Sequence, residues 1–312
     1  MSEPSLRPIV AADLPSCVAV FYAALEDLRV RRGEPSWPRN EAAMERLFAR
    51  LVASHAPGAW LCEVDGATVG FGIAVERDSL WFLSFLFVAP DHQAGGLGRR
   101  ILERTFPEGG PASWRARGGV MATCVEAVQP VSTGLYAGYG LLPRTPLYLL
   151  AGRPREGALA TLPKSVEAIS FAAVEASEGD AALSMALDAL DLSALRHRRA
   201  VDHRDDRAEG RVGWLYREAP GGPPLGYGYV QASGRVGPVL AVDGARLEPM
   251  IGHLMSTVEP AGAWQLVVPG PSIALPALLR AGLRFDDAPA LLCADRPYFA
   301  DERYLLRSFA LP

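Results

Sequence analysis

The sequence lacks the cysteine pattern, the apolar runs and the leader that mark metal-binding, membrane and secreted proteins. Its four cysteines, at positions 17, 62, 124 and 293 of 312 residues, form no C-x-x-C pair, which argues against a zinc site and a disulfide framework. We therefore expect reduced thiols and no metal centre. No apolar run reaches about 18 residues without a charge, glycine or proline, so no transmembrane helix is expected. The start lacks the basic patch and apolar core of a signal peptide, and we expect a cytoplasmic protein.

The chain also has little lysine and no excess of positive charge. Lys164 is the only lysine among 31 basic residues, which we attribute to a GC-rich genome, as in many bacteria. With 35 acidic residues the net charge is −4, so the basic stripe of nucleic-acid-binding proteins is missing. A composition of 49% hydrophobic and 21% charged residues is that of a globular protein. At roughly 150 residues per domain, the length suggests two domains.

The first half alternates between helical and strand patterns. Apolar residues recur at every third or fourth position over 18–28 and 44–51, which predicts two amphipathic helices. Strands are predicted at 59–64, 68–76, 80–88, 119–128 and 147–151. The pair Asp65-Gly66 is a strong hairpin signal between the first two of these strands. Residues 107–118 show no periodicity, and we predict a loop there.

The second half repeats this rhythm after an aperiodic segment, residues 152–164, which we interpret as a linker. Helices are predicted at 179–195, 247–258 and 272–281, and strands at 212–217, 225–231, 237–242, 264–268 and 290–295. Residues 197–207 are very polar, and we expect them to form an exposed loop. The fold class is therefore α/β (α+β), with domains over residues 1–151 and 165–312.

A glycine-rich loop follows the most apolar predicted strand. The strand over 80–88 ends before Pro90, and Gly95, Gly96 and Gly98 then lead into a helix. Glycines let the backbone approach a ligand closely, and the unpaired N–H groups at a helix start favour an anion. The loop is a candidate diphosphate site, although a purely structural glycine turn is the alternative. It matches neither the Walker loop nor the dinucleotide fingerprint.

Residues 93–98, Gln-Ala-Gly-Gly-Leu-Gly, resemble the pyrophosphate loop of the GNAT acetyltransferase superfamily, Gln/Arg-x-x-Gly-x-Gly/Ala. Residues 129–141 resemble a second family pattern, Asn-x-x-Ala-x-x-Leu-Tyr-x-x-x-Gly-Phe, with Gln129, Ser132 and Leu141 in place of its asparagine, alanine and phenylalanine. The resemblance implies two tandem GNAT-like domains, each a mixed, mostly antiparallel sheet flanked by helices. Residues 1–151 would form the acetyltransferase domain with the acetyl-CoA site.

The resemblance also implies which residues hold the acetyl-CoA. Main-chain groups at the end of the strand over 80–88 would pair with the pantetheine arm, and the loop would hold the diphosphate. The predicted cofactor-binding residues are Leu86, Phe87, Val88, Gln93, Ala94, Gly95, Gly96, Leu97, Gly98, Arg99 and Gln129.

Two catalytic residues follow from the same resemblance. Tyr136 falls on the family's tyrosine that protonates the departing thiolate, with aromatic packing under the sheet as the alternative. Glu126 is a candidate base acting through a water, with an exposed salt-bridging role as the alternative. Phe21, Tyr22 and Trp37 lie where the family often builds its acceptor wall, although all three could instead pack in the core.

The resemblance implies an acetyl-CoA-dependent N-acetyltransferase that acts on a small-molecule amine by direct transfer. A longer acyl group, a hydroxyl acceptor, or a non-catalytic acyl-CoA-binding sensor or scaffold remain alternatives. No nucleic-acid or membrane partner is expected, and a homodimer is left open.

In the second half, Leu278 stands where Tyr136 stands in the first, and the loop over 243–247 lacks the glycine series. We therefore expect a degenerate second domain without a cofactor site.

Overall fold

The computed structural model describes residues 3–219 and 221–311. The chain divides into two compact units, Met1–Thr123 and Cys124–Pro312. None of the helices in the described ranges is both long and apolar enough to cross a membrane.

The first unit consists of one sheet with helices packed on it. Its described strands lie in the order β1-β2-β3-β4-β5, and the β4–β5 pair is parallel whereas the other pairs are antiparallel. The elements are β1 Ser5–Pro8, α1 Leu14–Arg32, α2 Glu41–Ser54, β2 Ala59–Val64, β3 Ala67–Arg77, β4 Leu80–Val88, α3 Leu97–Thr105, α4 Gly110–Ala116 and β5 Val120–Glu126. The unit boundary falls within β5.

Local sequence signals explain where these elements begin and end. Asn40 accepts a hydrogen bond from the main-chain N–H of Ala43 at 3.1 Å and so caps α2, as such residues do at helix starts. Gly33 ends α1 in the left-handed conformation, with φ of 68°. Asp65 and Gly66 also have positive φ, 51° and 78°, which is the geometry of a two-residue hairpin. The predicted β2–β3 hairpin is confirmed.

Strand β3 shows how the sheet accepts helices on both faces. Successive side chains alternate between faces, and Gly70 and Gly72 lie on the face toward α3. A Cβ at either position would come within 2.8 or 2.9 Å of the Ile101 side chain, so glycine is what allows α3 to pack this closely. On the other face, the ring of Phe71 packs at 5.2 Å from the ring of Phe48 on α2.

The second unit contains two sheets. Its described strands lie in the order β5-β13-β6-β11 in one sheet, with β12 also paired to β6, and in the order β14-β10-β9-β8-β7 in the other. The elements after β5 are α5 Pro130–Ala137, β6 Leu142–Gly152, β7 Val166–Ser170, α6 Phe171–Glu178, α7 Asp180–Leu195, α8 Ala200–Ala208, β8 Val212–Glu218, β9 Pro224–Val230, β10 Val236–Ala241, α9 Leu247–Ser256, β11 Trp264–Pro269, α10 Leu275–Ala281, β12 Arg284–Phe285, β13 Ala290–Ala294 and β14 Tyr304–Leu305.

The mixed α/β class with mostly antiparallel sheets flanked by helices is confirmed, and several local predictions need correction. Residues 107–118 are not simply a loop, because they contain α4. Residues 197–207 are not an exposed loop, because α8 spans most of them and Asp202, His203 and Asp206 are buried. These polar side chains can be buried because they bond to one another and to their neighbours. Strands β1 and β7 were not predicted.

Strand β6 explains why the compact units do not end where the predicted domains end. It pairs with β13 over its first half, residues 142–147, and with β11 over its second half, residues 147–152. Because both partners come from the second half of the sequence, the contacts of residues 142–152 lie in the second unit. The division of the sequence into domains over 1–151 and 165–312, with a linker over 152–164, stays a prediction.

A chain that ends at Ala151 should therefore fail to stay soluble. Truncation removes β11 and β13, and β6 would be left with unpaired edges and with Leu147 and Leu150, both fully buried in the intact chain, exposed to water. Unpaired apolar edges drive aggregation. We expect aggregates in size-exclusion chromatography at micromolar concentration, where the full chain elutes as a defined species. A monodisperse fragment with cooperative unfolding would contradict this.

Candidate functional site

The loop between β4 and α3 has the backbone geometry of an anion cradle. Ala94 and Gly96 have left-handed backbones, with φ of 68° and 77°, and alternating handedness of this kind gives a concave row of main-chain N–H groups. Within the described ranges, the N–H groups of Gly95, Gly96 and Leu97 have no main-chain acceptor. Residues 93–96 are exposed. An anion can therefore reach donors at the start of α3 that the fold itself leaves unused.

Two predicted cofactor residues have contacts that hold the cradle in place. Gln93 donates from its side-chain nitrogen to the carbonyl oxygen of Val88 at 3.0 Å, which ties the loop to the end of β4. Leu97 is buried and packs in an apolar cluster with Cys62 and Ile101. Arg99 is exposed on the first turn of α3.

Strand β4 changes its pairing at Ser84. Ser84 has no counterpart in the register with β3 and forms a β-bulge, and the parallel ladder to β5 ends one residue earlier, at Leu83 and Thr123. There the Thr123 hydroxyl donates to the carbonyl oxygen of Leu83 at 2.9 Å. The Ser84 hydroxyl is buried without a hydrogen-bond partner among the described residues. Residues 85–88, which include Leu86, Phe87 and Val88, continue beyond this point paired to β3.

Tyr136 lies in the last turn of α5, in the second unit. Its side chain is buried, and burial, Cys293 and Cys124 together raise the pKa of its hydroxyl. Gly140 follows with φ of 81°, and the carbonyl oxygen of Tyr136 accepts hydrogen bonds that close the helix end. The phenol therefore keeps its proton at neutral pH, in an apolar setting that contains two thiols.

The other predicted residues of this unit surround the start of α5. Glu126 ends β5 and is partly buried, and its carbonyl oxygen accepts from the main-chain N–H of Gln129 at 2.9 Å. Gln129 is the N-cap residue of α5. Burial raises the pKa of the Cys124 thiol, so Cys124 lacks the thiolate character of a nucleophile. The described residues contain no cluster of His, Cys, Asp and Glu able to hold a metal.

The three aromatic residues considered for an acceptor wall have different environments. Phe21 and Tyr22 are buried, at 7% and 4% exposure, whereas Trp37 is 37% exposed. Phe21 packs with its ring at 4.9 Å from that of Phe87. The Trp37 ring lies under the Arg29 guanidinium at 4.9 Å. Phe21 and Tyr22 therefore belong to the core, and only Trp37 of the three is open to a ligand.

The corresponding loop of the second half has different chemistry. The Asp243 carboxylate accepts a hydrogen bond from the main-chain N–H of Ala245 at 3.0 Å, so an acidic side chain already occupies donors ahead of α9. A cavity of about 220 Å³ adjoins this loop, lined by residues that include Leu162 and Asp243. Leu278 is fully buried. A carboxylate at this position repels a phosphate, and a buried leucine cannot donate a proton.

Comparison with known proteins supports one family. Residues 22–139 match the model of the acetyltransferase (GNAT) family. No curated protein matches the chain in sequence. The segment 22–139, with its glycine loop and the end of its β4–β5 ladder, belongs to the GNAT acetyltransferase family, and the predicted family is confirmed. Acyl transfer is the general activity of this family.

Solved structures resemble the chain over its full length. A Pyrococcus horikoshii protein named as an acetyltransferase has a TM-score of 0.73 at 13% identity, covering 100% of this chain and 97% of its own. A GCN5-related N-acetyltransferase from Sphaerobacter thermophilus has a TM-score of 0.60 at 16% identity, covering 96% and 98%. A tandem GNAT protein of the clavulanic acid biosynthesis pathway has 0.54 at 13% identity, covering 95% and 99%. The tandem GNAT-like fold is thereby confirmed.

Replacing Thr123 with valine should destabilise the end of the β4–β5 ladder. The variant keeps the shape of the side chain but removes the buried hydroxyl that donates to Leu83, and a lost buried hydrogen bond costs about 1–3 kcal/mol. Thr133→Val is the matched control, because the Gln129 carbonyl oxygen that Thr133 contacts also accepts a main-chain N–H. Urea unfolding measures both variants, and equal losses would argue against a special role for Thr123.

Proposed function

We propose that the chain is an acetyl-CoA-dependent N-acetyltransferase that acts on a small-molecule amine by direct transfer. The observation that carries the proposal is the cradle at residues 93–98, where exposed N–H groups without main-chain acceptors precede α3. Such a cradle favours a diphosphate, and acyl-CoA thioesters carry one. The specific acyl donor, the amine acceptor and the roles of single residues are parts of this proposal.

The end of the β4–β5 ladder supports the same donor. Beyond the bulge at Ser84, residues 85–88 are paired to β3 on one side, and the main-chain groups of their other edge could pair with the amide groups of a pantetheine arm. The bulge at Ser84 and its buried hydroxyl without a partner leave a polar group for such a ligand to satisfy. Leu86, Phe87 and Val88 would contribute main-chain atoms, with their side chains free to pack.

The reaction needs one bond to form and one to break. The neutral amine nitrogen attacks the thioester carbonyl carbon, the C–S bond of the tetrahedral adduct breaks, and the electron pair leaves on sulfur. Tyr136 donates its hydroxyl proton to that thiolate, which gives coenzyme A as the thiol, and the Tyr136 phenolate then regains a proton from solvent. The amine loses a proton to solvent through a water that Glu126 could orient. Positioning of the two reactants supplies much of the acceleration.

The surroundings of Tyr136 suit a proton donor. Burial and the two neighbouring thiols raise the pKa of its hydroxyl, so the phenol is fully protonated when a turnover begins. Transfer from this acid to a free thiolate in water would be unfavourable, because an alkyl thiol such as that of cysteine has a pKa of about 8.5, below that of a phenol at about 10. Protonation must therefore accompany the C–S cleavage, when charge develops on sulfur in the same apolar environment.

A negative charge in the cradle should weaken acetyl-CoA binding. Gly95 has no positive φ, and a Cβ there would meet nothing nearer than the His92 carbonyl oxygen at 4.0 Å, so Gly95→Asp fits without a clash. Repulsion from the diphosphate should raise the Kd at least about tenfold, and the effect should shrink in high salt. Gly95→Asn is the matched control. Calorimetry should show one site per chain, and equal Kd values for the two variants would contradict the cradle's role.

Removing the Tyr136 hydroxyl should slow turnover without harming the fold. Tyr136→Phe keeps the ring and its packing, and loss of a general acid typically costs about 10²- to 10⁴-fold in rate. The defect should shrink as pH rises, because a thiolate then needs less help to leave. Tyr139→Phe, one turn further along, is the matched control. Steady-state kinetics with an amine panel over pH 6–9, roughly the range around a thiol pKa, measures both variants. Near-normal turnover by Tyr136→Phe would show that Tyr136 has only a packing role.

A further inference from the structure

A polar cluster lies buried in the second unit, where α7 and α8 meet strand β9. It is centred on Arg199, whose side chain has 0% exposure. Arg199 ends the short connection between the two helices. Buried arginines are rare unless they are paired, so the partners of this guanidinium decide whether it serves the fold alone.

One part of the cluster is fully bonded within the protein. Asp191 accepts from the main-chain N–H of Arg199 at 3.0 Å, from the Tyr227 hydroxyl at 2.7 Å and from Nε2 of His203 at 3.1 Å. Nδ1 of His203 is hydrogen-bonded to the Tyr229 hydroxyl at 2.8 Å. Both ring nitrogens of His203 and both oxygens of Asp191 therefore have partners within the protein.

The other part of the cluster consists of donors without partners. Nη1 of Arg199 donates to the Tyr227 hydroxyl at 3.3 Å, but Nε and Nη2 have no hydrogen-bond partner among the described residues. The same holds for the hydroxyls of Tyr298 and Tyr304, which are only 3% and 0% exposed. Buried donors are nearly always bonded in folded proteins. Three such residues in one region indicate that an acceptor from outside the chain belongs there.

The segment over 295–303 carries Tyr298 and leads into β14, where Tyr304 lies. The main-chain N–H of Ala300 donates to the carbonyl oxygen of Ala194 at 2.8 Å, which fixes the segment on the end of α7. The Tyr298 ring lies at 6.3 Å from the ring of His197, two residues before Arg199. Arg199 acts electrostatically on both tyrosines, where it opposes the rise in pKa that burial causes.

The surrounding charges decide what kind of acceptor fits. Asp191 and Asp202 both face Arg199, and Oδ2 of Asp202 lies 3.8 Å from its Nε, so two carboxylates already offset one guanidinium. The two carboxylates would repel a further anion. The unpaired groups are hydrogen-bond donors, which do not bind a cation. An uncharged carbonyl oxygen accepts hydrogen bonds through two lone pairs and carries no proton that would need an acceptor of its own. It therefore suits the open guanidinium nitrogens and the two hydroxyls.

The cluster is also linked to the candidate catalytic tyrosine. The Arg144 side chain on β6 donates to the carbonyl oxygens of Ala294 and Asp295 at 3.1 and 3.0 Å, at the start of the segment that carries Tyr298. Helix α5, which carries Tyr136, packs against the same strand β6. A ligand bound against Tyr298 would share this part of the second unit with Tyr136.

We propose that Arg199, Tyr298 and Tyr304 bind an uncharged carbonyl oxygen of the amine acceptor, so that the substrate class is an amine carrying an amide-type carbonyl. This assignment of the acceptor rests on the proposed function. The three side chains are enclosed, so the proposal requires that the acceptor enters when the segment over 295–303 moves off the end of α7. That segment contains no helix or strand, and it carries Tyr298 with it.

Ligand-detected NMR titration of the full chain without acetyl-CoA tests the proposal. Three probes separate the chemistries: glycinamide has the uncharged carbonyl, glycine has a carboxylate, and ethylamine has neither. We expect glycinamide to bind most tightly. Tyr298→Phe and Tyr304→Phe should each weaken glycinamide binding about tenfold, the scale of one hydrogen bond to a buried partner, and leave ethylamine unaffected.

Thermal unfolding of the same variants separates binding from a structural role. Removing a hydroxyl that bonds nothing should leave Tm unchanged or raise it. Tyr227→Phe is the matched control, because its hydroxyl donates to Asp191 and accepts from Arg199, and its loss should lower Tm. If Tyr298→Phe and Tyr304→Phe lower Tm as Tyr227→Phe does, enclosed water already satisfies their hydroxyls and the proposal is wrong.

The titration outcomes also bear on the proposal independently of catalysis. Tighter binding of glycine than of glycinamide, unchanged affinity in both phenylalanine variants, or no binding of glycinamide would each overturn it. Because acetyl-CoA is absent, glycinamide binding that depends on the two hydroxyls would stand even if the chain transferred no acetyl group. Conversely, if ethylamine were acetylated as fast as glycinamide, the proposed function would stand, but the proposal that the acceptor carries an amide-type carbonyl would be wrong.

Discussion

The candidate cofactor site depends on the point where β4 and β5 stop pairing. A parallel ladder of main-chain hydrogen bonds is continuous unless something ends it, and here the bulge at Ser84 and the hydroxyl of Thr123 do so together. The bulge shifts the phase of β4, and Thr123 satisfies the Leu83 carbonyl oxygen where the ladder ends. Residues 84–88 can then offer main-chain groups to a ligand without leaving the rest of the sheet unsatisfied.

The cradle could be predicted from the sequence because glycine readily adopts a positive φ and lets other groups approach the backbone closely. Gly96 has the left-handed φ that the turn into α3 requires, and Gly70 and Gly72 let α3 approach β3. The Asp65-Gly66 hairpin and the Asn40 cap were predictable for the same reason, since each acts within a few residues. The left-handed conformation of Ala94 was not predictable from local preference, because it is sterically unfavourable for alanine. The surrounding turn must impose it.

Long-range pairing is what the sequence did not reveal. The polar run over 197–207 looked like an exposed loop because partners such as Asp191, Tyr227 and Tyr229 lie elsewhere in the chain. Tyr227 and Tyr229 do alternate along β9 onto one face, which was the only local sign of a partner surface for α8. Strand β6 was likewise predicted as a last strand of its own domain, whereas its pairing with β11 and β13 follows from residues more than a hundred positions later.

The two halves show that one fold carries different chemistry through its loops. Ahead of α3 the chain presents two glycines and main-chain N–H groups without main-chain acceptors, whereas ahead of α9 Asp243 bonds to the N–H of Ala245. The second half has no free cradle at that loop, and Leu278 removes the hydroxyl that Tyr136 provides. Among its described residues, the buried donors without a hydrogen-bond partner include those of Arg199, Tyr298 and Tyr304, and also Nε of Arg246 in the loop itself. If the second half binds no cofactor, as predicted, its enclosed donors stay available for another ligand, because they lie among packed helices and strands and not in a cofactor loop.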